Sequence, residues 1–381
     1  MTSARPHIAF AMTVPGAVRA FMVPHLLELA KSFDITLYSN FTDDPSADLR
    51  ARFADMPVRF VHVGFERKIY PLADVKSWWN LFRHLRRDRP ASLHSMMPKT
   101  GLVATTAGLV AGVPIRIHMF TGQVWASQRG IRRLILQAAD RLIAFAATHI
   151  LADSPSQRDF LLSNGFPDRI TVLGAGSVSG VDLERFQPNP EMRKQVRAKY
   201  GINDNDLVFG FLGRMNRDKG VTDLLSGFVE ADLPSNCHLL LVGPDEENIG
   251  RSLNSIETAI KARIYLCGHT NRPEDYLAAF DVYCLPSYRE GFGTSVIEAA
   301  ACGVPALVSH IYGLTDAVAE NESGLFHAPG NVKAIAKGLL QFVNDPELRV
   351  RLGNSARRRA KQKFEESILI AEIKLYYNNL L

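Results

Sequence analysis

The sequence predicts an α/β protein built from two doubly wound domains. Short runs rich in Val, Ile or Phe alternate with longer stretches of helical period, and 381 residues exceed the roughly 250–300 at which a single core stops growing. In the first half, 7–12 reads as a strand and 20–32 as a helix carrying Leu26, Leu27 and Leu29. Runs 35–39 and 58–63 read as strands, 75–87 as a helix, 92–95 as a short strand, 101–111 as a helix and 115–120 as a strand. A helix over 131–148, a strand over 149–153, a helix over 155–164 and a strand over 170–173 complete this half. Such alternation implies right-handed crossovers and a parallel sheet covered on both faces.

The second half repeats the pattern, with strands over 206–212, 238–242, 263–267, 282–285 and 306–309. Helical stretches over 221–230, 273–280, 295–301 and 332–343 lie between or after them. Residues 180–194 include Pro188, Asn189 and Pro190, show no apolar period and read as a linker. The expected division is a first domain over 1–185, a linker over 186–200, a second domain over 201–361 and a terminal helix over 362–381. Ligands of such folds bind at the carboxyl ends of the strands.

Charge divides with the chain. Residues 1–200 hold 26 Lys and Arg against 16 Asp and Glu, whereas residues 201–381 hold 18 against 23, so the +5 total hides two oppositely charged halves with different expected partners. A hydrophobic fraction of 46% and a charged fraction of 22% exclude disorder and fibrous repeats. Cys237, Cys267, Cys284 and Cys302 show no paired spacing and read as reduced core thiols of a cytoplasmic protein, not as metal ligands. Residues 1–6 lack a secretory pattern, and the longest run free of charged residues and histidine, 100–115, falls short of the roughly 20 residues that span a bilayer. A soluble protein is expected, attached at most to the inner face of the cytoplasmic membrane.

The chemistry concentrates in two stretches. In the first, a buried strand ends at Pro286, and Ser287, Tyr288, Arg289, Glu290, Gly291, Phe292 and Gly293 form a loop before a helix that Thr294 or Ser295 can cap. Free backbone N–H groups and the positive helix end make this a phosphate or pyrophosphate site in outline. Glu290 and Glu298 are eight residues apart, so a largely helical span separates their backbones by about 12 Å, from which side chains reach the spacing of a glycosidase pair only awkwardly. Two carboxylates at the ends of one extended ligand, such as a nucleotide sugar, fit better. In the second stretch a strand ends at Gly213, and Arg214 and Lys219 follow on a loop and helix start, where they can neutralise a diphosphate.

Together these stretches resemble the retaining glycosyltransferases of family 4, which have the GT-B fold. The resemblance rests on Glu290-Gly291-Phe292-Gly293 with Glu298, on Cys302-Gly303-Val304-Pro305, and on Gly213-Arg214 with Lys219-Gly220. It extends to Gly180-Val181-Asp182, to Val242-Gly243-Pro244 and to Gly268-His269-Thr270. His94-Ser95 and the stretch from His118 through Thr121-Gly122 to Trp125 are similar to a bacterial subset that builds surface polysaccharides. It implies sugar transfer from a nucleotide donor with retention and without a required metal or other cofactor, the nucleotide sugar being a co-substrate. Glu290 is then expected on the donor sugar, Glu298 on the ribose, and Arg214 and Lys219 on the diphosphate. Gly291, Phe292, Gly293, Thr294, Gly243, His269 and Thr270 are expected donor-binding positions, with Gly16 and Gly122 opposite them. The resemblance also implies that the terminal helix crosses back to the first domain. Where many members have His before Gly, this chain has Thr121-Gly122, with His118 three residues earlier on the other strand face. Both Thr121 and His118 are therefore candidates, with Thr121 favoured by position.

Plainer readings stand beside these. His94 and His118 suit satisfied strand histidines as well as ligand contacts, Gly16 suits a tight turn, and Trp125 suits either the core or an acceptor platform. Trp78, Leu81, Phe82 and Leu85 at helical spacing read as a stripe packed on the first sheet with Arg83, Arg86, Arg87 and Arg89 in water. The excess of 15 cations over 5 acids in 51–150 also suits an anionic lipid surface. No nucleic-acid motif accompanies it. The expected function is transfer of a hexose or N-acetylhexosamine, UDP-linked, to a polyprenyl-diphosphate-linked glycan. The rivals are a nucleotide-sugar 2-epimerase and a non-catalytic sugar-nucleotide-binding protein.

Overall fold

The computed structural model describes residues 5–42, 47–66 and 70–381. The chain forms two compact units: residues 1–179 with 367–381, and residues 180–366. The first is built on a parallel sheet of β1 (His7–Ala11), β2 (Asp34–Ser39), β3 (Val58–His62), β4 (Ser92–Met96), β5 (Ile115–Phe120), β6 (His149–Ala152) and β7 (Ile170–Val172), in the order β3-β2-β1-β4-β5-β6-β7. Alternation sorts β1 between two cores. Ile8 and Phe10 face a layer with Leu26, Leu37 and Ile117, while Ala9 and Ala11 are small enough to let Leu81, Leu85 and Ala104 approach the other face. The expected helix over 20–32 is two helices, Pro15–Phe21 and Val23–Leu29, each with a proline in its first turn.

The last helix, Glu366–Leu380, belongs almost wholly to this unit. Leu369, Ile373 and Tyr377 are buried, Tyr377 Oη lies 2.9 Å from His94 Nδ1, and Lys374 pairs with Glu28 at 2.6 Å. His94 is thereby a core histidine bonded through Nδ1, and burial holds its imidazole at a pKa of about 3.

The second unit has β8 (Leu207–Leu212), β9 (Cys237–Val242), β10 (Ile264–Gly268), β11 (Val282–Leu285), β12 (Ala306–Ser309) and β13 (Gly324–His327), all parallel, in the order β10-β9-β8-β11-β12-β13. β13 is an edge strand that four residues of sequence do not announce. The segment expected as a linker carries a helix, Pro190–Lys199, that belongs to this unit. Its buried residues are Val196 and Arg197, and Arg197, fully buried, donates to the carbonyls of Ala279, Asn203, Asp204 and Asp206 and to Asp281 Oδ2 at 2.7 Å. A helix that buries one valine beside a guanidinium has no apolar period to read. The chain enters and leaves the unit side by side: Val181 N donates to Phe364 O at 2.7 Å and Glu366 N to Val181 O at 3.0 Å.

Candidate active site

In each sheet the winding reverses beside the first strand, between β1 and β4 and between β8 and β11. Crevices at such points are the usual ligand sites of doubly wound folds. In the second unit two loops close on the β8–β11 reversal, 213–220 after β8 and 286–293 after β11. Their approach is tight. A side chain at Gly220, which has φ 67°, would place its Cβ 2.0 Å from Pro286 O, and one at Gly243, after β9, would meet Gly213 O at 1.9 Å. Tyr288 N donates to Asp218 O at 2.8 Å and Arg289 pairs with Asp218 at 2.8 Å, joining the loops further.

The joined loops bring three side chains together. Lys219 Nζ lies 2.5 Å from Glu290 Oε1, and the same oxygen accepts from the fully buried Ser287 hydroxyl at 2.7 Å. Both ion-pair partners are mostly withdrawn from water, so the contact fixes the carboxylate's orientation more firmly than a surface pair would. Arg214 is turned elsewhere, with its guanidinium on the Glu246 carboxylate at 3.1 Å, where Asn216 Nδ2 also donates at 2.8 Å. Asn216 Oδ1 in turn accepts from Lys219 N, capping the single turn Arg217–Lys219.

After Glu290 the loop runs through Gly291, Phe292 and Gly293 into the helix Thr294–Ala301. Phe292 is buried edge-on to Phe364 at 5.1 Å, so its side chain anchors the loop. The cap is Gly293, at φ 90°, and not the expected Thr294 or Ser295. Ser295 Oγ lies instead 2.7 Å from Tyr283 Oη, and Tyr283 donates to Leu212 O at 3.0 Å, tying this helix to the end of β8. With no side chain on the cap, none competes with a ligand for the first-turn amides, although Val296 N already donates to Gly293 O at 2.9 Å. Glu298 is partly buried one turn further on. Burial lifts its carboxyl to about 7, the positive field of Arg185 opposing this and the charge of Glu274 reinforcing it. His269 and Thr270 follow β10, where His269 Nε2 lies 3.1 Å from Asn271 Oδ1 and Thr270 Oγ1 accepts from Arg272 N at 3.0 Å. Among the described residues no three His, Cys, Asp or Glu side chains form a metal-ligating group.

Four candidates belong to the first unit. Thr121 is partly buried just past β5, and Gly122 after it takes φ 99°. His118 is inside the core: its ring lies where a Cβ on Gly101 would be, 2.2 Å from Cε1, and its Nδ1 is 3.0 Å from Ser95 Oγ. Burial first and His94 second hold its pKa at about 3, so its imidazole is neutral, and its place inside the core suits the packing reading. Gly16 lies in the first turn of the helix Pro15–Phe21 without a positive φ, and a Cβ there would meet nothing within 4 Å. No tight turn demands glycine at this point.

Trp125 is a core residue. It is fully buried, stacks on Phe160 at 5.1 Å and donates to Asp140 Oδ2 at 2.8 Å. Burial raises the Asp140 carboxyl to about 7 despite that bond. A carboxyl whose folded pKa exceeds the unfolded value of 3.8 binds its proton more tightly when folded, so its contribution is best below pH 4 and is lost as pH rises to 7. Glu298 and Glu366, each raised from 4.5 to about 7, act in the same direction. Thermal melts between pH 4 and 8 should therefore show Asp140→Asn losing less stability with rising pH than wild type. The difference is up to about 1.4 kcal/mol per pH unit inside the window; parallel curves would contradict the assignment.

Ser287, Asn216, Glu246 and Tyr283 are the site residues that sequence reasoning passed over. Ser287 and Asn216 each had a signal, a hydroxyl three residues before a glutamate and an amide three residues before a lysine. Glu246 and Tyr283 had none, because their partners are 32 and 12 residues away.

Comparison with known proteins identifies the family of the chain. Residues 192–359 match the family described as glycosyl transferases group 1, and residues 27–176 match the glycosyl transferase 4-like domain. The chain is 30% identical to the capsular polysaccharide biosynthesis glycosyltransferase CapM of Staphylococcus aureus, over 84% of each protein. It is 24% identical to the UDP-Gal:alpha-D-GlcNAc-diphosphoundecaprenol alpha-1,3-galactosyltransferase of Escherichia coli, over 90% of this chain and 89% of that protein. Among solved structures, Anabaena Alr3699/HepE in complex with UDP and glucose has a TM-score of 0.81 at 18% identity, covering 98% of this chain and all of that one. Its two Rossmann-like units have the GT-B architecture, and the chain belongs to the group 1 glycosyltransferases.

Proposed function

We propose that this glycosyltransferase moves a hexose or N-acetylhexosamine from a UDP-sugar, with retention at the anomeric carbon, to a polyprenyl-diphosphate-linked glycan during surface polysaccharide synthesis at the cytoplasmic face of the membrane. The observation that carries the reading is the Lys219–Glu290–Ser287 cluster beside the open first turn of the helix Thr294–Ala301. That arrangement offers positive charge and amides to a diphosphate and an oriented carboxylate to the sugar attached to it. The E. coli relative's name specifies a UDP-Gal donor and a diphosphoundecaprenol acceptor, and the Anabaena structure holds UDP and glucose, which supports the same substrate classes here.

In this reading Glu290 holds the donor sugar and Glu298 the ribose hydroxyls. Lys219, the helix end, and Arg214 once it leaves Glu246 bind the diphosphate. As the bond from the anomeric carbon to the diphosphate breaks, negative charge grows on the leaving oxygen, and these cations stabilise it more than they stabilise the intact donor. The acceptor hydroxyl attacks from the face the diphosphate leaves, and its proton passes to that diphosphate. Atoms and charge balance without a protein nucleophile. The nucleotide sugar is the only co-substrate required.

The deciding experiment incubates purified protein with a panel of nucleotide sugars and a polyprenyl-diphosphate-linked sugar and follows UDP release together with glycolipid product. An axial donor linkage should remain axial in the product by NMR coupling. Turnover of donor without any acceptor, or inversion, would overturn the reading.

A further inference from the structure

The helix Gly130–Ala146 has two apolar faces. One packs inward through Ile143, Ala144 and Ala146. The other points outward: Ile131 is 72% exposed, Leu134 60%, Ile135 62%, Leu142 46% and Phe145 76%. At 3.6 residues per turn these five fall within an arc of about 100°, a continuous stripe roughly 21 Å long. Arg132 and Arg141 flank the arc on either side, and both are exposed. The helix's one acid, Asp140, points the opposite way, onto Trp125. The surroundings are equally one-signed, since residues 89–139 include six Lys or Arg and no Asp or Glu. On the same unit the helix Pro71–Asp88 buries Leu81 and Leu85 and exposes Leu72, Val75 and Trp79 beside Lys76 and Arg83.

We infer that the outer stripe of the helix Gly130–Ala146 lies in the headgroup region of an anionic lipid surface, with Ile135 and Phe145 inserted and the flanking arginines on phosphates. Exposed apolar residues in this number on one helix call for a cover. Charge selects which cover: a second copy of the chain would place arginine against arginine, whereas anionic lipid satisfies both the stripe and its cationic border. The stretch is also too short and too interrupted to insert across the bilayer, and among the described residues no helix is long and apolar enough to do so. This inference deepens the reading of a lipid-linked acceptor and rests on it for its purpose, but the surface is tested without any acceptor.

The test is co-sedimentation of the full chain with vesicles of phosphatidylcholine containing about one-quarter phosphatidylglycerol, and with phosphatidylcholine alone. Wild type should bind the mixed vesicles, more weakly at high salt and on the neutral ones. Ile135→Glu with Phe145→Glu should reduce partitioning roughly tenfold or more, and the uncharged pair Ile135→Gln with Phe145→Gln should still reduce it severalfold, separating lost insertion from added repulsion. UDP affinity, measured without lipid, should be unchanged in both variants. Wild type remaining in the supernatant, or variants that bind like wild type, would overturn the inference. So would a wild-type dimer that the variants convert to monomer without any vesicle binding. Binding without sugar transfer would leave this surface standing and remove the acceptor reading instead.

Discussion

Glu290→Ala is expected to lower turnover about a thousandfold while leaving UDP affinity within roughly threefold of wild type. The carboxylate sits at the junction of the two loops, held by Lys219 at 2.5 Å and Ser287 at 2.7 Å. In the proposed roles it meets the sugar and not the nucleotide, so its interactions matter as the glycosidic bond breaks. Removing it also frees Lys219 from its carboxylate partner, which favours diphosphate binding and keeps the affinity from falling. Ser287→Ala leaves the charge but loosens its orientation, and a smaller decrease in kcat with unchanged KM should accompany it. Isothermal titration with UDP beside steady-state kinetics separates the two quantities. A Glu290 variant that lost UDP binding and kept its turnover would refute the assignment.

Glu298→Ala should show the opposite pattern, with UDP binding weakened about ten- to a hundredfold. Its carboxyl, raised to about 7 by burial, gives the interaction a pH signature. If ribose hydroxyls donate to the carboxylate, only the ionised form binds well, so affinity should be full above pH 7 and fall by up to about tenfold per unit below it. Binding near neutrality should release a proton, visible as a dependence of the titration heat on buffer ionisation enthalpy. The Ala variant should lose both the affinity and this proton release. A wild type whose UDP affinity is flat from pH 5.5 to 8 would count against a ribose role.

The two folds were legible because their strands are continuous apolar runs. β9 is buried along its whole length, as a parallel strand covered on both faces must be. Pro190–Lys199 was not legible, since beside Val196 it buries an arginine that is satisfied by carbonyls as far away as Ala279. The site divides the same way. Glu290, Lys219 and the glycines lie in short loops whose composition states their chemistry. The packing of His118 depended on Gly101, a residue on the preceding helix that leaves room for an imidazole; strand alternation gives the face on which a side chain lies but not what covers it. A helix with two apolar stripes, such as Gly130–Ala146, likewise does not say from its period which stripe faces the sheet.

The last helix also bears on how the protein is made. Tyr377 and Ile373 complete a core whose strands leave the ribosome first, yet they are translated only after the whole of residues 180–366. At typical synthesis rates that delay is roughly 10–40 s, during which the first unit has its strands but not the helix that covers Phe10, Phe33 and His94. The second unit is contiguous in sequence and closed at its own ends by the pairing of Val181 with Phe364 and Glu366, so all of its residues have been translated before residues 367–381. The unit that begins second can therefore close first.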